Sequence, residues 1–284
     1  MTQPPRPADP APPARLTDPA ALMRQRARAQ AMFLQEDVAA EIEERLGEVN
    51  RTFTAPAVVT PFPGIWRPIL PTARIVPDAE VLALEEGAHD LVIHALALHW
   101  ADDPVGQLIQ MRRALRPDGL MLAALFGGET LAELRASLGQ AEVELTGGLS
   151  PRVLPMSEIR DLGALLQRAG FALPVADAAR RTVTYADALA LMRDLRAMGE
   201  GNALARRHRR IPPRALFPRA AAIYAENFPA GEGRIRATFD VIHLSGWAPD
   251  DSQQKPLRPG SARQSLADAL ARLRPNDPPP GGKA

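Results

Sequence analysis

The chain has 284 residues, 46% of them apolar, with 29 prolines, no cysteine and a formal net charge of +1. That length suffices for one large domain with a full core. The missing cysteine excludes disulfides, thiolate zinc sites and cysteine nucleophiles, the near-neutral charge gives no global reason to expect nucleic acid, and no apolar run approaches the ~20 residues of a membrane span.

The prolines concentrate near the ends, in "TQPPRPADPAPPAR" and "PNDPPPGGKA". Such segments cannot bury enough apolar surface to offset their ordering entropy, so residues 1–16 and 263–284 are expected to be disordered tails. Residues 17–50 read as an N-terminal helical segment. Asp18 can cap it, Pro19 suits its first turn, and Leu22, Phe33, Leu34, Val38, Ile42 and Leu46 make an apolar stripe. "APAVVTPFPG" (55–64) then offers a short strand at Val58–Thr60, and Ala73–Val76 is a second short apolar run.

"HDLVIHALALHW" (89–100) contains a strand, Leu91–Ile93, apolar enough to be buried on both faces. A helix over 103–119 follows, with Pro117 and Gly119 at its end, then a strand over 120–126 and a helix over 127–145. Residues 156–171 read as a further helix, capped by Ser157 and stopped at Gly170. Residues 171–185 are strand-like, 186–228 helical with a polar break near Gly199–Asn202, and 237–249 a closing strand. Strand and helix alternating in this way predict a parallel sheet with right-handed crossovers. The expected organisation is an α/β core over 51–184, a helical cap inserted at 185–236, and a closing strand and extended segment over 237–262 that return to the core.

From "LEEGAHDLVIHALALHWADDPVGQLIQMRRALRPDGLMLAALFGGETLAELR" onward, the chain resembles the class I SAM-dependent methyltransferase superfamily. "GGLSPRV", "IRDLGALLQRAGFALPVAD", "ALMRDLRAMGEGNAL", "ATFDVIHLSGWAP" and "SQQKPLRPGSA" narrow the resemblance to one branch. This is the bacterial relatives of the mitochondrial respiratory complex I assembly factor, whose animal member is known as an arginine hydroxylase. The resemblance covers residues 22–270 and implies a Rossmann-like methyltransferase fold, S-adenosyl-L-methionine as cofactor and a complex I subunit as partner.

The stretch before His94 departs from that pattern. In the superfamily the first strand ends in a glycine-rich loop, because the backbone must approach the cofactor where a Cβ would clash; here "TPFPG" follows Val59. "IVPDAEVLAL" (75–84) matches the segment after the family's third strand, yet a βαβ unit takes ~30 residues or more. Too few residues lie between Val58 and Val76 for one such unit. The expectation is a truncated Rossmann-like fold lacking one strand and one helix, and with them the acidic residue that would hold the ribose.

The candidates for chemistry are few. If the cofactor binds, Gly64 lies at the loop, Asp78 or Glu80 near the adenine, and His94 with Ala95 near the sulfonium. His94 can be a general base or metal ligand, and its plainer reading is a polar strand end. His99 is a further catalytic candidate, and Trp100 reads as packing. Asp102 and Asp103 fit helix capping; with His94 and His99 they match no standard metal-ligand spacing. Gly127, Gly128 and Glu129 read as a tight turn before a helix, whose N-terminus could bind an anion. Arg152, in the "GGLSPRV" loop, can face a substrate carboxylate or an acidic partner. The basic run "RRHRRIPPRALFPR" (206–219) reads as a solvated face or a patch for an acidic protein. The leading expectation is a cytoplasmic assembly or interaction protein with a degenerate cofactor half, a pseudoenzyme that binds neither nucleic acid nor metal. The alternative is an active methyltransferase, or a protein-arginine-modifying enzyme, with an atypical cofactor site.

Overall fold

A computed structural model of the protein describes residues 15–253. The expected tails therefore lie outside the described residues, apart from Arg15 and Leu16, as does the 254–262 part of the extended segment. The described residues as far as Asp250 belong to one compact unit.

The N-terminal segment is two helices, α1 (Pro19–Arg26) and α2 (Phe33–Glu48), where the sequence suggests one. Asp18 caps α1 as expected, accepting from the Ala21 N–H. No glycine or proline marks the break. Between the helices, the Gln30 and Ala31 N–H groups both donate to the Ala197 carbonyl at 2.7 and 3.0 Å. A tertiary contact thus overrides good helix formers, as propensity allows.

β1 (Pro56–Val59), α3 (Pro63–Ile69) and β2 (Arg74–Val76) follow, then β3 (His89–His94), α4 (Pro104–Ala114) and β4 (Leu115–Gly127). Pro117 disfavours helix at the residue before it, so α4 stops at Ala114 and residues 115–119, expected to be helical, open β4 instead. α5 (Ala132–Thr146) and α6 (Ile159–Ala169) come next. Glu158, not Ser157, is the N-cap of α6, and Gly170 ends it at φ 82°, where a side chain would be strained. β5 (Ala172–Tyr185) is one long strand. α7 (Ala188–Ala197) and α8 (Leu216–Asn227) carry the helical part of the expected cap, and a hairpin of β6 (Pro229–Gly231) and β7 (Arg234–Trp247) closes the fold.

The sheet order is β2-β1-β3-β4-β7-β5, with β6 paired to β7. The first four strands are parallel; β7 runs antiparallel to both neighbours. Side-chain alternation sends Leu91 and Ile93 into a core beneath α2, α5, α7 and α8, and sends Val92 into a second core beneath α4 and α6. The architecture is the expected α/β methyltransferase-type sheet. Two strands, not three, precede β3. β2 pairs directly with β1, Val59 against Val76, and no strand lies between them.

Candidate functional site

In a parallel sheet of this kind, ligands bind beyond the carboxyl ends of the strands. At the end of β1, Thr60 is buried and the Thr60 N–H donates to the Val76 carbonyl at 3.0 Å. β1 and β3 pair as far as Val59 and His94, and the Ala95 N–H then donates to the Val59 carbonyl.

Beyond β2 lies Asp78, and the Arg26 guanidinium from the end of α1 reaches it at 2.5 Å; both side chains are largely buried. Glu80, two residues on, is mostly exposed and lies 3.9 Å from Arg15. His94 is fully buried, its Nε2 2.8 Å from Gln107 Oε1, while Gln107 Nε2 donates to the Ala79 carbonyl. An amide oxygen can only accept, so His94 carries its proton on Nε2 and its Nδ1 has no hydrogen-bond partner. Burial pulls its pKa down to about 4, despite the Gln107 contact and the negative charge of Asp78. Ala95 is likewise buried. Gly64 stands apart from all of these, in α3. It lines an open groove against Met32, Glu36 and Ala40, and a Cβ there would meet nothing within 4 Å.

The larger cavity, of about 720 Å³, lies elsewhere, between the His99–Trp100 turn after β3, the end of β4 and helices α1, α5 and α7. His99, Trp100, Glu200 and Arg152 line it together; Asp78, His94 and Ala95 do not. The Glu200 carboxylate accepts from Trp100 Nε1 at 2.7 Å and lies 3.3 Å from His99 Nε2. His99 Nδ1 accepts from the Phe126 N–H, which places the imidazole proton on Nε2, facing Glu200. Burial works to raise the Glu200 pKa, but His99, the charge of Arg26 and the Trp100 N–H outweigh it and hold the carboxyl ionised. The other oxygen, Oε1, has no partner. Glu200 was not among the sequence candidates. It sits a hundred residues from His99 and Trp100 in a stretch that reads as a polar break, and only the fold brings the three together.

The remaining candidates find structural work. Asp103 caps α4 by accepting from the Gly106 N–H, and Asp102 accepts from the Leu16 and Thr17 N–H groups. Gly127–Glu129 form a tight turn. The anion before α5 is the chain's own Asp240, which accepts from the Glu129 N–H at 2.9 Å and is clamped by Arg180. Arg152 donates to Glu142 at 2.6 Å and, with Ser150, brings that carboxyl down to about 2 against the opposing effect of burial. In the basic run, Arg207 and Arg209 pair with Asp18 and Arg219 with Glu144. No helix among the described residues is long and apolar enough to cross a membrane.

A methyltransferase-domain family profile matches residues 65–123, beginning inside α3. The malonyl-[acyl-carrier protein] O-methyltransferase of Methylovorus sp. is 32% identical over 80% of this chain and 69% of its own length. The chain belongs to the class I SAM-dependent methyltransferase superfamily. Within the superfamily, the mitochondrial arginine-hydroxylase NDUFAF5 of Danio rerio is 42% identical over 70% of this chain. The match spans 62% of that relative's length, so the chain spans about three fifths of it. A putative methyltransferase from Bacillus halodurans aligns in structure with 74% of this chain and 98% of its own, at 12% identity and a TM-score of 0.46. The profile match starts downstream of β1 and "TPFPG".

Proposed function

We propose that this protein is a methyltransferase-fold assembly or interaction protein for respiratory complex I, with a degenerate S-adenosyl-L-methionine half. The observation that carries the reading is the Arg26–Asp78 ion pair beside a sheet with two strands before His94. The residues at these strand ends do not fit the cofactor. Two prolines and a helix take the place of the glycine loop, Asp78 is engaged by a guanidinium, and His94 is sealed against Gln107. Resemblance to the NDUFAF5 branch supports complex I as the setting. The cytoplasm remains the proposed compartment, and fractionation of the native cell tests it.

Isothermal titration of the full chain with S-adenosyl-L-methionine and S-adenosylhomocysteine tests the central claim. No binding is expected for either; micromolar affinity for one of them overturns it. A second reading, an enzyme acting on a protein arginine, has one observation in its favour: the unpartnered Glu200 Oε1, which could receive a guanidinium N–H. Mass spectrometry of complex I subunits incubated with the protein and methyl-labelled cofactor separates the two. Transfer of label to an arginine supports the enzyme, and unmodified subunits support the binding protein.

A further inference from the structure

The cavity beside His99 is rimmed by arginines. Elsewhere in the fold some arginines meet carboxylates: Arg45 with Glu41 and Asp177, Arg51 with Asp118, Arg181 with Asp37 and Glu41. Six arginines line this one cavity, Arg24, Arg28, Arg152, Arg193, Arg196 and Arg207. Arg152 and Arg207 are committed to Glu142 and Asp18. Arg24, Arg28, Arg193 and Arg196 are exposed, and their guanidinium groups have no ion pair or hydrogen bond among the described residues. Like charges crowded around a low-dielectric concavity repel one another and focus a positive potential into it. A fold that keeps four of them unneutralised there has an attraction for anions.

Behind the arginines the walls are apolar, with Leu131 at the N-cap of α5, Leu134 and Leu138 within it, Met156, Met192 and Phe126. At the inner side, Glu200 is about nine-tenths buried with Oε1 unpartnered, and Gln25 Oε1 nearby is buried and unpartnered too. Buried acceptors without donors are costly and rare in native structures. The volume falls within the ~300–1,000 Å³ of small-molecule sites. We infer that this cavity binds an anionic amphiphile, a carboxylate or phosphate head held by the rim arginines, an apolar chain along α5, and a hydroxyl or amide donor reaching Glu200.

The test is isothermal titration of the full chain with dodecanoate, dodecyl phosphate, dodecanol and dodecyltrimethylammonium, each below its micelle concentration. Both anions bind, and the alcohol binds about tenfold more weakly or less, the difference one charge-assisted hydrogen bond makes. The cation is weakest. Comparing dodecanoate with dodecyl phosphate tells a free carboxylic acid from a lipid phosphate as the natural source, and 12-hydroxydodecanoate binds more tightly than dodecanoate if the inner acceptors take part. The double variant Arg193→Glu/Arg196→Glu, on the exposed face of α7, weakens both anions about tenfold or more and leaves dodecanol unchanged. Should that variant lose its circular dichroism, raising the salt on the native chain replaces it: anion affinity falls and dodecanol affinity holds. Equal affinity for alcohol and anion, anion binding indifferent to both charge reversal and salt, or no anion binding at all overturns the inference.

Discussion

His94 shows how a residue's chemistry is decided by its surroundings. In the folded protein its pKa is about 4, below the ordinary imidazole value. The unfolded chain therefore binds the proton first as pH falls. Stability is complete above the ordinary value near pH 6.5 and is lost progressively down to about pH 4, by roughly 3 kcal/mol in all. His243, whose pKa burial also lowers, adds a loss of the same sign. Urea denaturation at pH 7 and pH 5 should show the drop, and His94→Gln should show less of it. The Arg26–Asp78 pair makes a second prediction. Asp78→Ala leaves a guanidinium largely buried without its counter-charge, at a cost on the order of 3–5 kcal/mol, and adding Arg26→Met recovers most of that loss. Urea midpoints of the single and double variants check it. The sequence identifies His94 as a strand end and Asp78 as an acid after a strand. It does not reveal Gln107 over the first or Arg26 on the second, because both partners arrive from distant elements.

At the level of elements, the legible features were those with a local cause. β3, α4, α6 and the closing strand follow from apolar periodicity bounded by Pro and Gly, and Asp18 and Asp103 cap where their positions predict. Asp103→Ala, which removes the bond to the Gly106 N–H, is expected to cost about 1 kcal/mol in thermal or urea unfolding, with no change in fold. The split between α1 and α2 and the early start of β4 were not legible. In the first, two N–H groups are recruited by Ala197; in the second, Leu115 pairs with His89 of β3, and Asp118 and Gly119 exchange backbone hydrogen bonds with Ala248, just past β7. Neither cause is local. Of the candidate site, Arg152 and His99 could be named from sequence, whereas the arginines of α1 and α7 could not be placed around the same opening before the fold was known.

For the whole molecule, the shortened stretch before His94 has been absorbed without a gap in the sheet. β2 lies directly against β1 at the edge of the sheet. The end of the N-terminal helix α1 is fastened to the residue just past that edge strand by a salt link. On the reading proposed above, seating the cofactor here would take two independent changes: insertion of a strand with its crossover, and release of Arg26 from Asp78. Each change would have to break a contact the fold now makes, β1 against β2 in the first case and α1 against the residue past β2 in the second.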